Sequence, residues 1–383
     1  MTLRKSSRGQ VQPFIVMDVM REANRLEATG RDVLHLEVGQ PSTGAPSGVI
    51  AAAQQALVND RLGYTEALGI DPLRRRIAKY YSDAHDIDVA EDRVIVTTGS
   101  SGGFMLAFLS AFDAGDRVVL VDPGYPAYRN ILAALGIEAV CVPATAEDRY
   151  QPTPALLDRI DGDIDGLIVA SPANPTGTMI TGAEMVALTT YCDDRGIRLI
   201  SDEIYHGITY EMPGVTALSH TQNAFIVNSF SKYYSMTGWR VGWMVIPEQF
   251  HRSVECLAQN IFISVPTLSQ HAASAAFDCT EELDENVARY AANRDLLLRE
   301  LPTAGLTNLA PADGAFYVYA DVSHLTNDSE NFCRRMLTEV GIATAPGTDF
   351  DHYRGNETIR ISFAGDTQTM AEASARLQDW IAC

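Results

Sequence analysis

The chain has 383 residues, of which 46% are hydrophobic, so it can form one large domain and a smaller one, each around its own core. A formal net charge of −20 argues against a sequence-independent grip on nucleic acid or on an anionic membrane, because both need a basic surface. No apolar run approaches the length that crosses a bilayer, and the first twenty residues lack a secretory core, so we expect a cytoplasmic protein.

The chain begins with a predicted helix over residues 17–29. From Val94 onward, short runs rich in β-branched residues alternate with segments of helical period. The predicted strands are RVIVTTG, DRVVLVDP, DGLIVASP, IRLISDE and AFIVNSF, and the predicted helices among them are GGFMLAFLSAF, YRNILAALG and GAEMVALTTYCDDRG. Fully apolar strands separated by helices predict a mostly parallel sheet covered on both faces. We expect this large domain to span residues 45–280.

Beyond residue 280 the pattern changes. A long helical segment, DENVARYAANRDLLLREL, is followed by GAFYVYADV, the helix SENFCRRMLTEVG and the segment TIRISFAG. Strands mixed with helices in this way suggest a smaller α+β domain over residues 281–383. We expect the N-terminal segment, residues 1–44, to pack with it.

Neither cysteines nor histidines show the spacing of a metal site. The six cysteines are far apart and form no CxxC pair, which favours reduced thiols over a disulfide framework or bound zinc. They are Cys141, Cys192, Cys256, Cys279, Cys333 and Cys383. We therefore expect no metal. His206 receives no catalytic role, because a lone histidine is more often structural.

Polar clusters stand at the ends of the five predicted strands: TTGSSGG, DPGYPAY, SPANPTG, SDEIYHG and SFSK. In parallel sheets ligands gather beyond the carboxyl ends of the strands. Gly99, Ser100 and Ser101 follow a strand and open a helix, so their N–H groups would face a phosphate. Ser229 and Arg240 could add further phosphate contacts. The loop lacks GxGxxG, which argues against a dinucleotide.

A carboxylate and a lysine complete this constellation. Asp202 ends the apolar strand LISD, where an unpaired carboxylate would be costly, so we expect a cationic partner. That partner is either an arginine or the protonated ring nitrogen of a cofactor. A phosphate cradle, the aromatic Tyr125, Asp202 and Lys232 together meet the needs of pyridoxal phosphate, whose aldehyde forms a Schiff base with lysine.

The same segments resemble the class I/II aminotransferases of the fold type I pyridoxal-phosphate enzymes, over nearly the whole chain. The matching sequence motifs are GYTEALGIDPLRRRIA, TTGSSGG, DPGYPAY, SPANPTG, SDEIYHGI, SFSKYYSMTGWRVGW and IRISFA. The expected fold is then α/β: a mostly parallel seven-stranded sheet covered by helices, plus a smaller α+β domain made from both termini. The resemblance also implies a homodimer whose active sites are shared between subunits.

The resemblance implies a role for individual residues. Lys232 is the Schiff-base lysine and then moves a proton between the substrate α-carbon and the cofactor. Asp202 pairs with the pyridine nitrogen, and Arg360 binds the substrate α-carboxylate. The other implied contacts are Asn174 and Tyr205 on the ring hydroxyl, Tyr125 on the ring, Gly99, Ser100, Ser101, Ser229, Ser231 and Arg240 around the phosphate, Tyr64 on the phosphate of the second subunit, and Gly39, Asn174 and Phe14 at the substrate end.

Three functions remain open on these residues. The first is an aminotransferase that moves an amino group from an L-amino acid to a 2-oxo acid in a ping-pong reaction. The second is another enzyme on the same scaffold, such as a β-C–S lyase or an aminocyclopropane-type synthase, which shares the same residues around the cofactor. The third is a cofactor-binding regulator without turnover, which ranks last because such regulators usually carry a DNA-binding helical extension.

The substrate side of the pocket lacks an evident second cation. Aspartate-type relatives take it from positions where this chain has Gln259, Asn260 or Ser101. An apolar side of the pocket is expected from Phe14, Ile15, Tyr64 and Phe316. We therefore predict neutral aliphatic, aromatic or sulfur-containing donors in preference to aspartate, with 2-oxoglutarate or pyruvate as the acceptor.

Overall fold

The computed structural model describes residues 3–382 of the chain. Within that range, no helix combines the length and the apolar character that crossing a bilayer requires. Five of the six cysteines lie in this range and carry free thiols, while Cys383 lies outside the described residues.

Helices and strands alternate along most of the described chain. The helices are α1 (Ile15–Glu27), α2 (Ser47–Asn59), α3 (Asp71–His85), α4 (Gly99–Ala111), α5 (Pro126–Leu135), α6 (Pro154–Leu157), α7 (Gly182–Arg195), α8 (His251–Ile261), α9 (Thr267–Ala276), α10 (Thr280–Thr303), α11 (Ser329–Val340) and α12 (Thr367–Ala382). The strands are β1 (Leu34–His35), β2 (Val94–Thr97), β3 (Arg117–Asp122), β4 (Glu138–Pro143), β5 (Gly166–Ala170), β6 (Arg198–Asp202), β7 (Phe225–Ser229), β8 (Gly242–Val245), β9 (Asn308–Leu309), β10 (Tyr317–Asp321), β11 (Ile342–Ala343), β12 (Ala345–Pro346) and β13 (Thr358–Ser362).

The largest sheet has seven strands in the order β2–β8–β7–β6–β5–β3–β4. Strand β8 runs antiparallel to its neighbours β2 and β7, and the other pairings are parallel. The predicted α/β fold with a mostly parallel seven-stranded sheet is confirmed. The five predicted strands correspond to β2, β3, β5, β6 and β7, whereas β4 and β8 are found only in the structure.

Helices cover both faces of this sheet, which explains why its central strands are mostly apolar on both faces. Successive side chains of a strand point to opposite faces. In β6, Leu199 enters the core on the side of α3, α7 and α9, and Ile200 enters the core on the side of α4, α5 and α8. A polar side chain on either face would lie in a packed interior, so both faces select β-branched and aromatic residues.

A smaller four-stranded antiparallel sheet, in the order β12–β13–β10–β9, packs with α10 and α12 around a separate core. The N-terminal segment lies against it: β1 pairs in parallel with β11, and α1 contacts β12. Both termini thus contribute to this part of the molecule. The domain limits at residues 44/45 and 280/281 stay a prediction.

Helix α1 begins at Ile15 and ends at Glu27, two residues earlier at each end than predicted. The Asp349 carboxylate accepts hydrogen bonds from the backbone N–H groups of Ile15 (3.1 Å) and Val16 (3.0 Å). These are N–H groups that have no partner inside the helix. Because this partner lies more than 330 residues away, the local pattern around α1 cannot reveal the start of the helix.

Candidate active site

The loops that follow β2, β3, β5, β6 and β7 converge on one cleft of about 190 Å³. Their convergence at the carboxyl edge of the sheet agrees with the predicted position. Most predicted site residues line this cleft: Phe14, Gly39, Ser100, Ser101, Tyr125, Asn174, Asp202, Tyr205, Ser231, Lys232, Arg240 and Arg360. Gly99 and Ser229 lie behind its wall, and Tyr64 lies elsewhere.

Lys232 extends from the loop after β7 into the cleft. Its Nζ donates a hydrogen bond to the carbonyl oxygen of Gly39 (2.6 Å) and lies 5.5 Å from the ring centre of Tyr205. Burial lowers the pKa of the lysine to about 8, and the positive charges of Arg360 and Arg240 act in the same direction, while Asp202 opposes them. The side chain is therefore a buried amine that can gain or lose a proton near neutral pH.

Asp202 ends β6 at the floor of the cleft. Its carboxylate accepts hydrogen bonds from the Tyr128 hydroxyl and from the backbone N–H of Ile204 (3.1 Å). Burial raises the pKa of Asp202 to about 6, while these two donors and the charge of Lys232 favour the ionised form. A buried carboxylate in this balance can be ionised at neutral pH and is suited to a cationic partner.

The first turn of α4 forms an anion cradle with Arg240. The Thr98 side chain makes no capping hydrogen bond, so it does not occupy the N–H groups of that turn. Gly99 has a φ of +66°, and a Cβ there would meet the Arg240 guanidinium, so only glycine lets this side chain come so close to α4. Ser229 acts behind the wall, where its hydroxyl donates to the Ser231 hydroxyl (2.9 Å).

Arg360 enters the opposite side of the cleft from β13 and is only 2% exposed. Its guanidinium donates to the Asn174 side-chain oxygen (2.8 Å) and to the Glu37 carbonyl, and its Nε has no partner. Among residues 3–382, no carboxylate forms an ion pair with it. A buried arginine held only by neutral acceptors is prepared to bind an anionic ligand.

Two tyrosine hydroxyls meet between Lys232 and Arg360. The hydroxyl of Tyr205 lies 2.6 Å from that of Tyr317, and the Tyr317 ring lies 4.4 Å from the Arg360 guanidinium carbon. A Cβ at Gly39 would overlap the Tyr317 hydroxyl, so any larger residue at this position would displace that tyrosine. The backbone at residue 39 can therefore approach both Tyr317 and the lysine.

The apolar side of the cleft differs from the prediction. Phe316 is fully buried beneath the floor, with its ring centre 5.9 Å from the lysine Nζ, and does not line the cleft. Ile15 lines a separate groove beside α11. Tyr64 is 84% exposed and outside the cleft of its own chain. The apolar wall is formed with Phe14 by Val16, Met17 and Val38.

Tyr128 and Tyr317 are site residues that the sequence analysis does not assign. Tyr128 is the last letter of DPGYPAY, three residues after Tyr125, and helical spacing could have placed the two near each other. Tyr317 has no comparable signal. Its position depends on the pairing of β10 with β13, which sets Tyr319 opposite Arg360. Tyr317 lies two residues before Tyr319 and therefore on the same face of the strand.

The chain matches the family described as aminotransferase class I and II over residues 31–377. It belongs to that family. The prediction of an aminotransferase is thereby confirmed at the level of the family, which generally depends on pyridoxal phosphate.

Individual relatives agree with this assignment. The chain is 52% identical to valine–pyruvate aminotransferase from Mycobacterium tuberculosis, over 100% of this chain and 99% of that protein. A crystal structure of an aminotransferase from the same organism covers 100% of both chains with a TM-score of 0.98 and 52% identity. Aspartate aminotransferase from Thermus thermophilus with maleate has a TM-score of 0.92 at 29% identity and covers 99% of this chain and 100% of that one.

The residues of this aminotransferase-family cleft fit pyridoxal phosphate. A buried amine, a buried carboxylate and a helix N-terminus beside Arg240 match the cofactor's aldehyde, ring nitrogen and phosphate respectively. The glycine that admits Arg240 to the cradle suits the cofactor's phosphate. The unpaired Nε of Arg360 at the other end of the cleft suits a second anion, such as a substrate carboxylate.

Proposed function

We propose that this aminotransferase binds pyridoxal phosphate in the cleft and transfers the amino group of a neutral L-amino acid to a small 2-oxo acid in two half-reactions. The observation that carries the proposal is the position of the buried Lys232 amine between the buried Asp202 carboxylate and the buried, carboxylate-free Arg360. In this proposal Lys232 serves proton transfer, Asp202 serves the cofactor, and Arg360 serves the substrate.

Pyridoxal phosphate supplies an aldehyde that takes up the amino group and a protonated ring that withdraws electrons. Lys232 would hold that aldehyde covalently, and once released it would carry a proton to and from the substrate α-carbon. A pKa of about 8 suits this role, because an acid–base group works best when its pKa lies near the working pH. Asp202 would keep the ring nitrogen protonated, and Tyr128 would help to keep Asp202 ionised.

The remaining residues would bind and orient. Ser100, Ser101, Ser231 and Arg240 would hold the phosphate, with Gly99 and Ser229 shaping the cradle from behind. At the ring, the proposed contacts are Tyr125 on its face and Asn174 and Tyr205 on its hydroxyl. At the substrate end, Arg360 would bind the α-carboxylate beside Gly39. Arg360 already donates to Asn174, so a bound carboxylate would connect the substrate end with the ring end.

The lining of the cleft supports a neutral donor. Its cations are Lys232, Arg240 and Arg360, and each has a proposed partner other than a distal carboxylate. The polar residues Gln259 and Asn260 lie on α8 and do not line it. Leaving a buried carboxylate without a partner costs at least about 2 kcal/mol, or more than tenfold in discrimination. The 52% identical relative is named valine–pyruvate aminotransferase, which favours an aliphatic donor and pyruvate as acceptor.

A panel of donors tests the proposal. Conversion to the pyridoxamine form is followed in single turnovers with valine, other neutral amino acids and aspartate, and we expect valine to exceed aspartate by more than about tenfold. Stable pyridoxamine phosphate without release of ammonia marks a transaminase and excludes the lyase. Aspartate as the fastest donor by a wide margin would show that a cation from elsewhere enters the cleft.

The proposed active unit is a homodimer. Tyr64 is too exposed to serve the cleft of its own chain, and this exposure leaves its hydroxyl available to reach the phosphate of a second subunit. The cytoplasmic location also stays a prediction.

A further inference from the structure

A second group of reactive side chains lies outside the cleft, where β3 and β4 end. Asp122, Cys141 and His352 each offer one potential metal-ligand atom, and these atoms lie within 4.8 Å of one another. Within residues 3–382, they form the one such group of three or more histidine, cysteine or acidic side chains. We propose that these three residues bind a divalent transition-metal cation of the zinc type.

The sheet register brings two of the ligands together. β3 and β4 are parallel, and Leu120 of β3 stands opposite Cys141 of β4. Asp122 is two residues beyond Leu120, so its side chain lies on the same face of the sheet as Cys141. The third ligand comes from the C-terminal part of the chain, where the segment after β12 passes over this corner. His352 Nδ1 lies 2.6 Å from Asp122 Oδ2 there.

The donor set suits zinc more than calcium or magnesium. Imidazole nitrogen, thiolate sulfur and carboxylate oxygen are the ligands that zinc takes, with bond lengths of about 2.0 to 2.3 Å. A tetrahedral site therefore needs ligand atoms about 3.5 Å apart. Binding would require the imidazole nitrogen and the carboxylate oxygen, which lie 2.6 Å apart, to separate slightly. The His352 side chain is 51% exposed, so an ion can enter and water can occupy a fourth position.

The surroundings contain one opposing charge. Arg129 lies near Asp122 and Cys141, and its positive charge would repel a cation. Its guanidinium, however, donates to the carbonyl oxygen of Asp349, which fixes the side chain toward that segment. The proton of the thiol must also be released when the sulfur becomes a ligand.

A bound ion would connect two parts of the molecule next to the cleft. His352 follows Phe350, whose ring lies 4.6 Å from the Arg360 guanidinium carbon. Asp122 lies three residues before Tyr125, which lines the cleft. The ion would thus join the segment that packs on Arg360 to the strand that leads to Tyr125. We expect it to stabilise the folded protein without taking part in the reaction.

Metal content and stability of the holoenzyme test the site. The purified holoenzyme is freed of metals with a chelator and dialysed against Zn²⁺, and bound zinc is counted per chain by atomic spectroscopy. Cd²⁺ is titrated in parallel, because a cadmium–thiolate bond gives an ultraviolet absorption band. We expect one ion per chain, a thiolate band, and a higher midpoint of thermal unfolding with zinc.

Two variants and two matched controls decide the outcome. Cys141→Ser and His352→Gln should lose the thermal shift and bind Zn²⁺ at least about tenfold more weakly, and Cys141→Ser should also lose the cadmium band. Cys279→Ser and His324→Gln, which change a cysteine and a histidine outside the cluster, should behave as wild type. Zinc bound equally by wild type and Cys141→Ser would overturn the proposal, as would the absence of a cadmium band in wild type. Because these readouts do not depend on turnover, the result is independent of the proposed function.

Discussion

Replacing Tyr128 with phenylalanine isolates the contact that keeps Asp202 ionised. The Tyr128 hydroxyl donates to the Asp202 carboxylate in a fully buried position, and the rest of the ring packs against Tyr125 and Phe104. The substitution removes one oxygen and leaves this aromatic packing in place. Its effect should therefore fall on the protonation of Asp202 rather than on the fold.

The size of the effect follows from the type of hydrogen bond. A hydrogen bond to a charged group contributes about 1.5 to 3 kcal/mol, which corresponds to about 1 to 2 pKa units. Burial already raises the pKa of Asp202 to about 6, and the hydroxyl opposes that rise. Without the hydroxyl the pKa rises further. A carboxyl that is mainly ionised at pH 7 in the wild type becomes at least about half protonated in the variant.

The assay is the affinity of the cofactor-free protein for pyridoxal phosphate as a function of pH. A protonated Asp202 cannot pair with a protonated ring nitrogen, so the acid limb of the profile should move upward by about 1 to 2 pH units in Tyr128→Phe. At alkaline pH the two affinities should converge. Tyr191→Phe is the matched control, because its hydroxyl donates to the Asp158 carboxylate (2.8 Å) away from the cleft. A Tyr128→Phe profile that superimposes on that of the wild type would refute the reasoning.

Three further predictions concern stability, assembly and close packing. Because the pKa of Asp202 is raised from 3.8 to about 6, its favourable contribution to folding is present below pH 3.8 and lost as the pH rises through 6. In thermal unfolding, cofactor-free Asp202→Asn should therefore be more stable than wild type by about 3 kcal/mol at pH 8 but not at pH 4. The same variant should lose its turnover. Mixing impaired Tyr64→Phe subunits with inactive Lys232→Ala subunits should raise the activity above the sum of the two parents, since one site of each mixed dimer keeps both residues. No gain after verified exchange would argue against shared sites. Gly39→Ala should reduce kcat/KM by more than about tenfold because its Cβ would overlap a tyrosine hydroxyl in the cleft, whereas Gly9→Ala, with open space around it, should behave as wild type; equal activities would contradict the packing argument.

The sequence by itself determines the class of fold and most of the cleft. Strands such as FIVNS must be buried on both faces because every residue in them except the polar end is apolar, and this pattern predicts helices on both sides of the sheet. The carboxyl ends of parallel strands lie at one edge of the sheet, so the polar segments that follow these strands must meet there. Lys232 and Asp202 are brought together for that reason, and this part of the prediction needs no knowledge of side-chain contacts. Arg240 reaches the same edge for a different reason, because it precedes β8, which runs antiparallel and therefore begins there.

Only the tertiary structure decided which distant side chains touch. Asp349 sets the start of α1, Tyr128 binds Asp202, and His352 reaches Asp122 across 230 residues of sequence. Local patterns report burial and backbone conformation, since these repeat with the period of a helix or a strand. The partner of a buried polar group instead depends on how separate elements pack, and many sequences with the same pattern would pack with different partners. For the same physical reason Phe316 lies under the floor of the cleft rather than in its wall, although its position in the sequence is equally compatible with both.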